Sequence, residues 1–439
     1  MHHRTRRHIP ALFAGAVRSV LAFSIAFAVP FALAAQGLAV PADNPSIRRA
    51  LEKIKTNNSW TLDQQVQLCE IPSPPFKETA RGIEYRKRLV ALGYADTKID
   101  SIGNVIAEHK GTGSGPTVMI AGHLDTVFPE GTNVKVKKDG DRFTAPGIGD
   151  DCRGLAVVLT VAKALKEGGI PHTGTILLVG NVGEEGPGDL RGVRYMFGNT
   201  YKSKIDYFIS VDGMGLHVTD RAVGSKRYSV KFTGPGGHSY GAFGMPSAIH
   251  AMGRAIANIS DLEVPSGPKT TFNVGIVKGG TSVNTISADG AMDVDMRSES
   301  VSNLEEMDVR VHAAVEKALV AENARWPKSK AKISVKFDTI GIRPVGKVPQ
   351  TAATPIVATA LNAAKLLGEE NAPTGASSTD ANIPMSLGIQ AITIGGGGKG
   401  GDAHALTEWY QDGPDGYKGP QWALLIVAAL AGMPRTVTP

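Results

Sequence analysis

The feature that most constrains the fold of this chain is a set of short apolar runs, unbroken by regular polar alternation, lying between helix-patterned stretches. Residues 117–122, 175–182, 207–211 and 391–394 are such runs. A strand wetted on one side alternates apolar and polar residues, whereas a strand apolar along its length is buried on both faces. Helical stretches lie between the runs. Ile47, Leu51 and Ile54 share one helix face after Asn44, residues 155–165 form a second helix, and residues 421–430 close the chain with a third. The expectation is an α/β fold, a mixed sheet flanked by helices.

The middle of the chain differs. Arg227 to Thr233 alternates Tyr228, Val230 and Phe232 with Ser229, Lys231 and Thr233, the pattern of a half-wetted strand. Ile249, Met252, Ile256 and Ile259 form a helical stripe after Pro246. Strands are expected at 271–278 and 289–297, a helix at 302–322 and a strand at 332–339. That order, β-α-β-β-α-β, is the ferredoxin-like unit. It predicts an inserted domain over 222–340, splitting a larger domain into 44–221 and 341–439.

The net charge of +6 and pI near 9.1 invite a nucleic-acid reading, but the charge is segregated. Residues 1–34 hold four arginines and no acid, so the remainder carries only about +2. Arg4, Arg6 and Arg7 precede an apolar stretch ending in Ala32-Leu33-Ala34, the layout of a secretory signal peptide. Arg18 and Pro30 interrupt the stretch and no polybasic flank follows, which argues against a membrane anchor. A periplasmic or secreted protein with no nucleic-acid partner is expected. Cys69 and Cys152 cannot form a disulfide framework and are expected to be buried packing residues.

Histidines and acids stand just past the ends of the apolar runs. His123 and Asp125 follow Val118-Met119-Ile120, Glu184 and Glu185 follow Ile176-Leu177-Leu178-Val179, and Asp212 follows Phe208-Ile209-Ser210-Val211. His404 follows the glycine loop after Ile394, and Asp150-Asp151 precede a helix, whose N-terminus favours carboxylates. Ligands of open α/β sheets bind beyond the carboxyl ends of strands, so these groups are expected in one crevice. Histidines and carboxylates without paired cysteines suit a metal such as zinc. Asp125, two residues beyond His123, is placed to accept from the far imidazole nitrogen and fix its tautomer.

Three motifs then become specific. Gly122-His123-Leu124-Asp125-Thr126-Val127, Gly147-Ile148-Gly149-Asp150-Asp151 and Gly183-Glu184-Glu185-Gly186 resemble the dinuclear-zinc exopeptidase family. That family includes peptidase T, carnosinase-like dipeptidases, glutamate carboxypeptidase, aminoacylase and succinyl-diaminopimelate desuccinylase. Gly234-Pro235-Gly236-Gly237-His238-Ser239 and Asp402-Ala403-His404 resemble its remaining motifs, in the same order. The resemblance implies that Asp150 bridges two divalent metals, zinc first, with cobalt or manganese as alternatives. It implies His123 and Asp212 at one metal, Glu185 and His404 at the other, and Glu184 as general base. His238, from the inserted lid domain, would stabilise the oxyanion, Asn284 and Arg297 would bind substrate, and the lid would support a homodimer.

The implied activity is hydrolysis of an amide bond in short peptides or N-acyl amino acids. Asp rather than Glu at 212 leans toward aminopeptidases and tripeptidases, with a carboxypeptidase or N-acyl amino acid amidohydrolase as alternatives. A catalytically silent secreted metal- or peptide-binding protein would need a lost ligand or base, and none is missing. One departure is Cys152-Arg153 after the aspartate pair, where many relatives have a lysine. A phosphate-binding turn at Gly147-Ile148-Gly149 fails because no third glycine completes it and two aspartates follow. No Gly-x-Ser-x-Gly elbow is present.

Overall fold

The computed structural model describes residues 38–433. The proposed signal segment 1–34 lies outside them. No helix among the described residues is long and apolar enough to cross a membrane.

The main sheet has eight strands in the order Lys98–Ile99, Val105–Lys110, Thr175–Asn181, Thr117–His123, Tyr207–Val211, Gln390–Ile394, Val218–Ala222 and Thr374–Ser377. Its four central strands, from Thr175–Asn181 to Gln390–Ile394, run parallel, so their carboxyl ends meet at one edge of the molecule. Val105–Lys110 and Val218–Ala222 pair antiparallel to this block, making the sheet mixed.

The unbroken apolar runs follow from cover on both faces. Val118, Ile120, Ile176, Leu178, Ile209 and Ile392 point into one core, shared with helices Pro45–Thr56, Cys152–Gly168, Pro355–Leu366 and Lys418–Leu430. The intervening Met119, Ala121, Leu177, Val179, Phe208 and Ala391 fill a second core on the opposite face. Each fully buried aliphatic side chain contributes about 1.5–3 kcal/mol of burial. Truncating Ile120 or Leu178 to alanine therefore costs about 2–5 kcal/mol once the cavity is included.

Residues 224–343 carry a second sheet, ordered Thr270–Gly279, Asp289–Ser298, Gly224–Thr233 and Ser334–Arg343, all antiparallel. Helices Ala248–Ser260 and Val301–Arg325 pack on one face around Val230, Phe232, Met292, Val294 and Met296. The other face carries Ser229, Lys231, Asp293 and Asp295, as the alternation required. Its last strand runs to Arg343 rather than ending at 339, because a bulge between Thr339 and Gly341 lets pairing continue.

A third, small sheet was not visible in the sequence. Lys399–Gly401, Trp409–Gln411, Arg142–Thr144 and Lys137–Asp139 pair antiparallel. Trp409 opposite Thr144 ties the loop bearing His404 to the loop bearing Asp150.

Candidate metal centre

Strand ends and two loops assemble the site. His123 ends its strand, Asp212 is the first residue after Val211, and Glu184 and Glu185 lie just past Asn181. Helix Cys152–Gly168 presses its first turn onto the sheet at Gly154, where a Cβ would sit 2.1 Å from the Val211 carbonyl oxygen. Only glycine permits that approach, which brings the preceding Asp150 to the strand ends.

His123 Nε2 lies 2.9 Å from Asp150 Oδ1, and His404 Nε2 lies 3.1 Å from Asp150 Oδ2 and 3.0 Å from Glu185 Oε1. Asp150 thus offers one carboxylate oxygen to each histidine. The donor atoms of His123, Asp150 and Asp212 lie within 4.8 Å of one another, and so do those of Asp150, Glu185 and His404. A third such group joins His123 to Glu184 and Glu185. Two three-donor groups sharing one aspartate is an arrangement for two cations.

The charges of this crevice demand positive partners. Burial acts against charge on His123, yet hydrogen bonds to Asp125 and Asp150 hold its pKa well above the usual imidazole range. Hydrogen bonds to Asp150 and then Glu185 raise His404 to about 10. Asp150 is held low despite its burial by bonds from both histidines. Asp212 is pushed up to about 7 by burial and then by the charge of Asp150. Nitrogen and carboxylate donors that recruit protons this strongly fit divalent cations of the zinc type.

Buried side chains hold these donors in place. Asp151 accepts from the His123 N–H at 2.8 Å and the Gly154 N–H at 2.9 Å, so one carboxylate caps the helix and fixes the His123 backbone. Asp125 stands beside His123 Nδ1 and has a second task. Its carboxylate Oδ1 stands 3.5 Å from His123 Nδ1, whereas its backbone carbonyl accepts from that nitrogen at 3.1 Å. The strand ends at His123, so the two side chains are not held parallel as in extended chain. The carboxylate also accepts from the N–H groups of Glu184 and Glu185 at 3.0 and 2.9 Å, setting the turn that presents both glutamates.

Two further residues escaped the sequence reading. Glu408 is buried and accepts from the N–H groups of Gly147, Gly149 and Asp150 at 2.8–2.9 Å, clamping the loop that carries the shared aspartate. Its only sequence signal is an acid four residues after His404. Arg343, at the end of the second sheet, donates to Glu184 Oε1 at 3.0 Å and to the Glu184 carbonyl at 2.6 Å. Burial raises the Glu184 pKa well above the carboxylate range, and Arg343 works against that rise. An arginine before Pro344 at the end of the inserted unit was the available signal.

The remaining candidates stand in the inserted unit, apart from these donor groups. His238 and Asn284 are brought together: Gly237–His238 pairs with Thr285–Ile286, and the Ser239 N–H donates to the Asn284 carbonyl at 2.9 Å. His238 is exposed, and its Nδ1 accepts from the N–H groups of Tyr240 and Gly241, both at 3.2 Å. Arg297 shares its strand face with Asp295, to which its Nε donates at 2.8 Å. None of the three belongs to a cation-holding group among the described residues.

A mixed α/β sheet whose carboxyl edge gathers two donor groups around one aspartate defines a metal-dependent hydrolase. The chain belongs to peptidase family M20/M25/M40, whose family model matches residues 119–421. It is therefore a peptidase or amidohydrolase. It is 27% identical over 307 residues to carboxypeptidase G2 of Pseudomonas sp. (strain RS-16), covering 67% of this chain and 68% of that one. It is also 27% identical to succinyl-diaminopimelate desuccinylase of Nitrosospira multiformis, over 62% of this chain and 76% of that one. Among solved structures, a tripeptidase of Staphylococcus aureus shares the fold with a TM-score of 0.70 at 23% identity, over 85% of this chain and 99% of that one. Aminopeptidase PepT of Bacillus cereus shares it with a TM-score of 0.69 at 22% identity, over the same shares of the two chains.

Proposed function

We propose that this protein is an exported exopeptidase of the aminopeptidase or tripeptidase kind, acting on short peptides with two zinc ions at its centre. The observation that carries the reading is Asp150, shared between the donor groups, with Glu184 beside them. His123, Asp150 and Asp212 would hold one ion, and Asp150, Glu185 and His404 the other. Such a pair supplies Lewis acidity toward an amide carbonyl and brings the pKa of water to about 7.

The chain's own groups supply the rest. Glu184 takes a proton from the attacking water at a carboxylate oxygen and passes it to the departing amine. Burial favours its protonated form and Arg343 opposes that by favouring its charged form. The backbone donors on His238 Nδ1 leave the proton on Nε2, giving a neutral imidazole able to donate to a developing oxyanion. Because His238 stands apart from the donor groups, the proposal includes closure of the inserted unit as a lid, or its insertion into a partner's site in a homodimer. The signal-like segment 1–34 supports export to the periplasm or beyond.

A second reading has support from the curated relatives, a carboxypeptidase and an N-acyl amidohydrolase. Metal-stripped and zinc-reloaded protein tested on free, N-blocked and C-blocked tripeptides separates the two. Cleavage only when the amino terminus is free supports the aminopeptidase reading. Cleavage of N-acylated substrates replaces it, and hydrolysis indifferent to chelator or to Glu184→Gln overturns the two-cation mechanism.

A further inference from the structure

A cleft of about 430 Å³ opens directly beside the metal centre, with Asp150 and Asp212 in its wall. Met214, His217, Thr374 and Ala376 line it, and the remaining wall is glycine, alanine, valine, threonine, serine and proline. Its only acids are the two metal-centre aspartates, and no lysine or arginine contributes. His217 adds no charge: its Nδ1 donates to the Met214 carbonyl at 2.9 Å, and burial holds its pKa below the usual imidazole range. The chain does place cations in clefts elsewhere. One of about 610 Å³ is lined by Glu78, Arg191 and Arg194, and one of about 990 Å³ by Arg86, Lys98, Lys110 and Lys166. Neither includes a residue of the metal centre.

We infer that this cleft is the subsite for the substrate side chain flanking the scissile amide, and that it selects uncharged side chains over acidic and basic ones. The inference deepens the exopeptidase reading and rests on it. Its position follows from the strand register. Thr374 stands level with Val218, Val218 with Ile394, and Ile394 with Val211, the residue before Asp212. Because Asp150 and Asp212 stand in the cleft's wall, a side chain there lies next to an amide held at the centre. An ionised carboxylate, ammonium or guanidinium placed there leaves water without finding a counter-charge, because Asp150 and Asp212 are committed to the cations. A cleft of about 430 Å³ has room for any single side chain, so charge rather than bulk decides what it admits. Substrates with an anionic group at this position require a cation that the wall lacks.

The test uses zinc-loaded enzyme and two tripeptide panels, one varied only at the residue before the cleaved bond and the other only after it. Leu, Met, Thr, Asp, Glu, Lys and Arg are compared in each. In one panel kcat/KM is expected to be at least tenfold higher for each neutral residue than for each charged one. Thr374→Arg, at an exposed strand residue, is expected to raise kcat/KM for Asp and Glu at least tenfold in that panel alone. The same peptides titrated calorimetrically into Glu184→Gln, where chemistry is blocked, should rank in the same order by Kd. Charged residues equal to or better than neutral ones in both panels overturn the inference, and so does a Thr374→Arg variant of wild-type Tm whose preference is unchanged. Absence of hydrolysis of every peptide, with no binding to Glu184→Gln, overturns the exopeptidase reading itself.

Discussion

The two sheets of this molecule carry functional candidates in opposite ways. On the main sheet the donors other than His404 are buried or half-buried, and several are braced from behind: Asp151 holds the His123 backbone, Asp125 the Glu184-Glu185 turn, and Glu408 the Asp150 loop. On the second sheet His238, Asn284 and Arg297 bond only to groups of the inserted unit, and they belong to no cation-holding group among the described residues. The braced half holds charge in fixed places, which electrostatic catalysis requires. In the function proposed above, the loosely held half would be brought in by motion or by a second copy. Arg343 joins the two, since it ends a strand of the second sheet while gripping Glu184 of the first.

That contrast can be broken by substitution. Asp150→Asn removes the member common to both donor groups, and metal content and activity should collapse together, as read by elemental analysis and a peptide assay. If one metal and substantial activity survive, Asp150 is not shared. Glu184→Gln should lower kcat by about 10²–10⁴ with full metal content, because it loses a proton carrier and no ligand. His238→Gln should lower kcat by about 10²–10³. Its metal affinity should stay unchanged, since it belongs to the other half; weakened metal binding would abolish the distinction between the halves.

The smaller effects concern the braces. Glu408→Gln should weaken metal binding by about 10–100-fold, measured by competition with a chelator, and lower Tm by only a few degrees, since its amide nitrogen cannot accept from the backbone donors. His109 offers a pH test away from the centre. It stacks on His172 at 5.0 Å, and burial, followed by the charges of His172 and Lys166, lowers its pKa to about 4. The neutral imidazole belongs to the fold. Its contribution is therefore complete above about pH 6.5 and is lost as pH falls from there toward 4. Calorimetric Tm should fall through that window by a few degrees more in wild type than in His109→Gln.

The parts of this picture legible in the sequence were those with local signals. Runs such as Val118-Met119-Ile120 revealed a doubly covered sheet because burial on both faces removes the alternation, and the alternation at 227–233 revealed a half-wetted one for the opposite reason. The five candidate donors were legible because each follows an apolar run or sits in a distinctive glycine-bounded motif. Glu408 and Arg343 were not, since their partners lie 258 and 159 residues away and the acid after His404 and the arginine before Pro344 do not point to those partners. The small sheet around Trp409 was hidden likewise: three-residue strands have too few residues to show a period. Asp125 was found beside His123, but its second task, holding the Glu184-Glu185 turn, lies 59 and 60 residues away and had no local signal.

The contact between His404 and Asp150 joins side chains 254 residues apart. The second donor group therefore does not exist until nearly the whole described chain has been synthesised and folded. A chain cut short before the small sheet closes has at most half a centre, and a nascent chain is inert toward the peptides around it. If the two donor groups hold two ions as proposed, the second would bind only after His404 reaches Asp150, and the order of ion binding during refolding should record it.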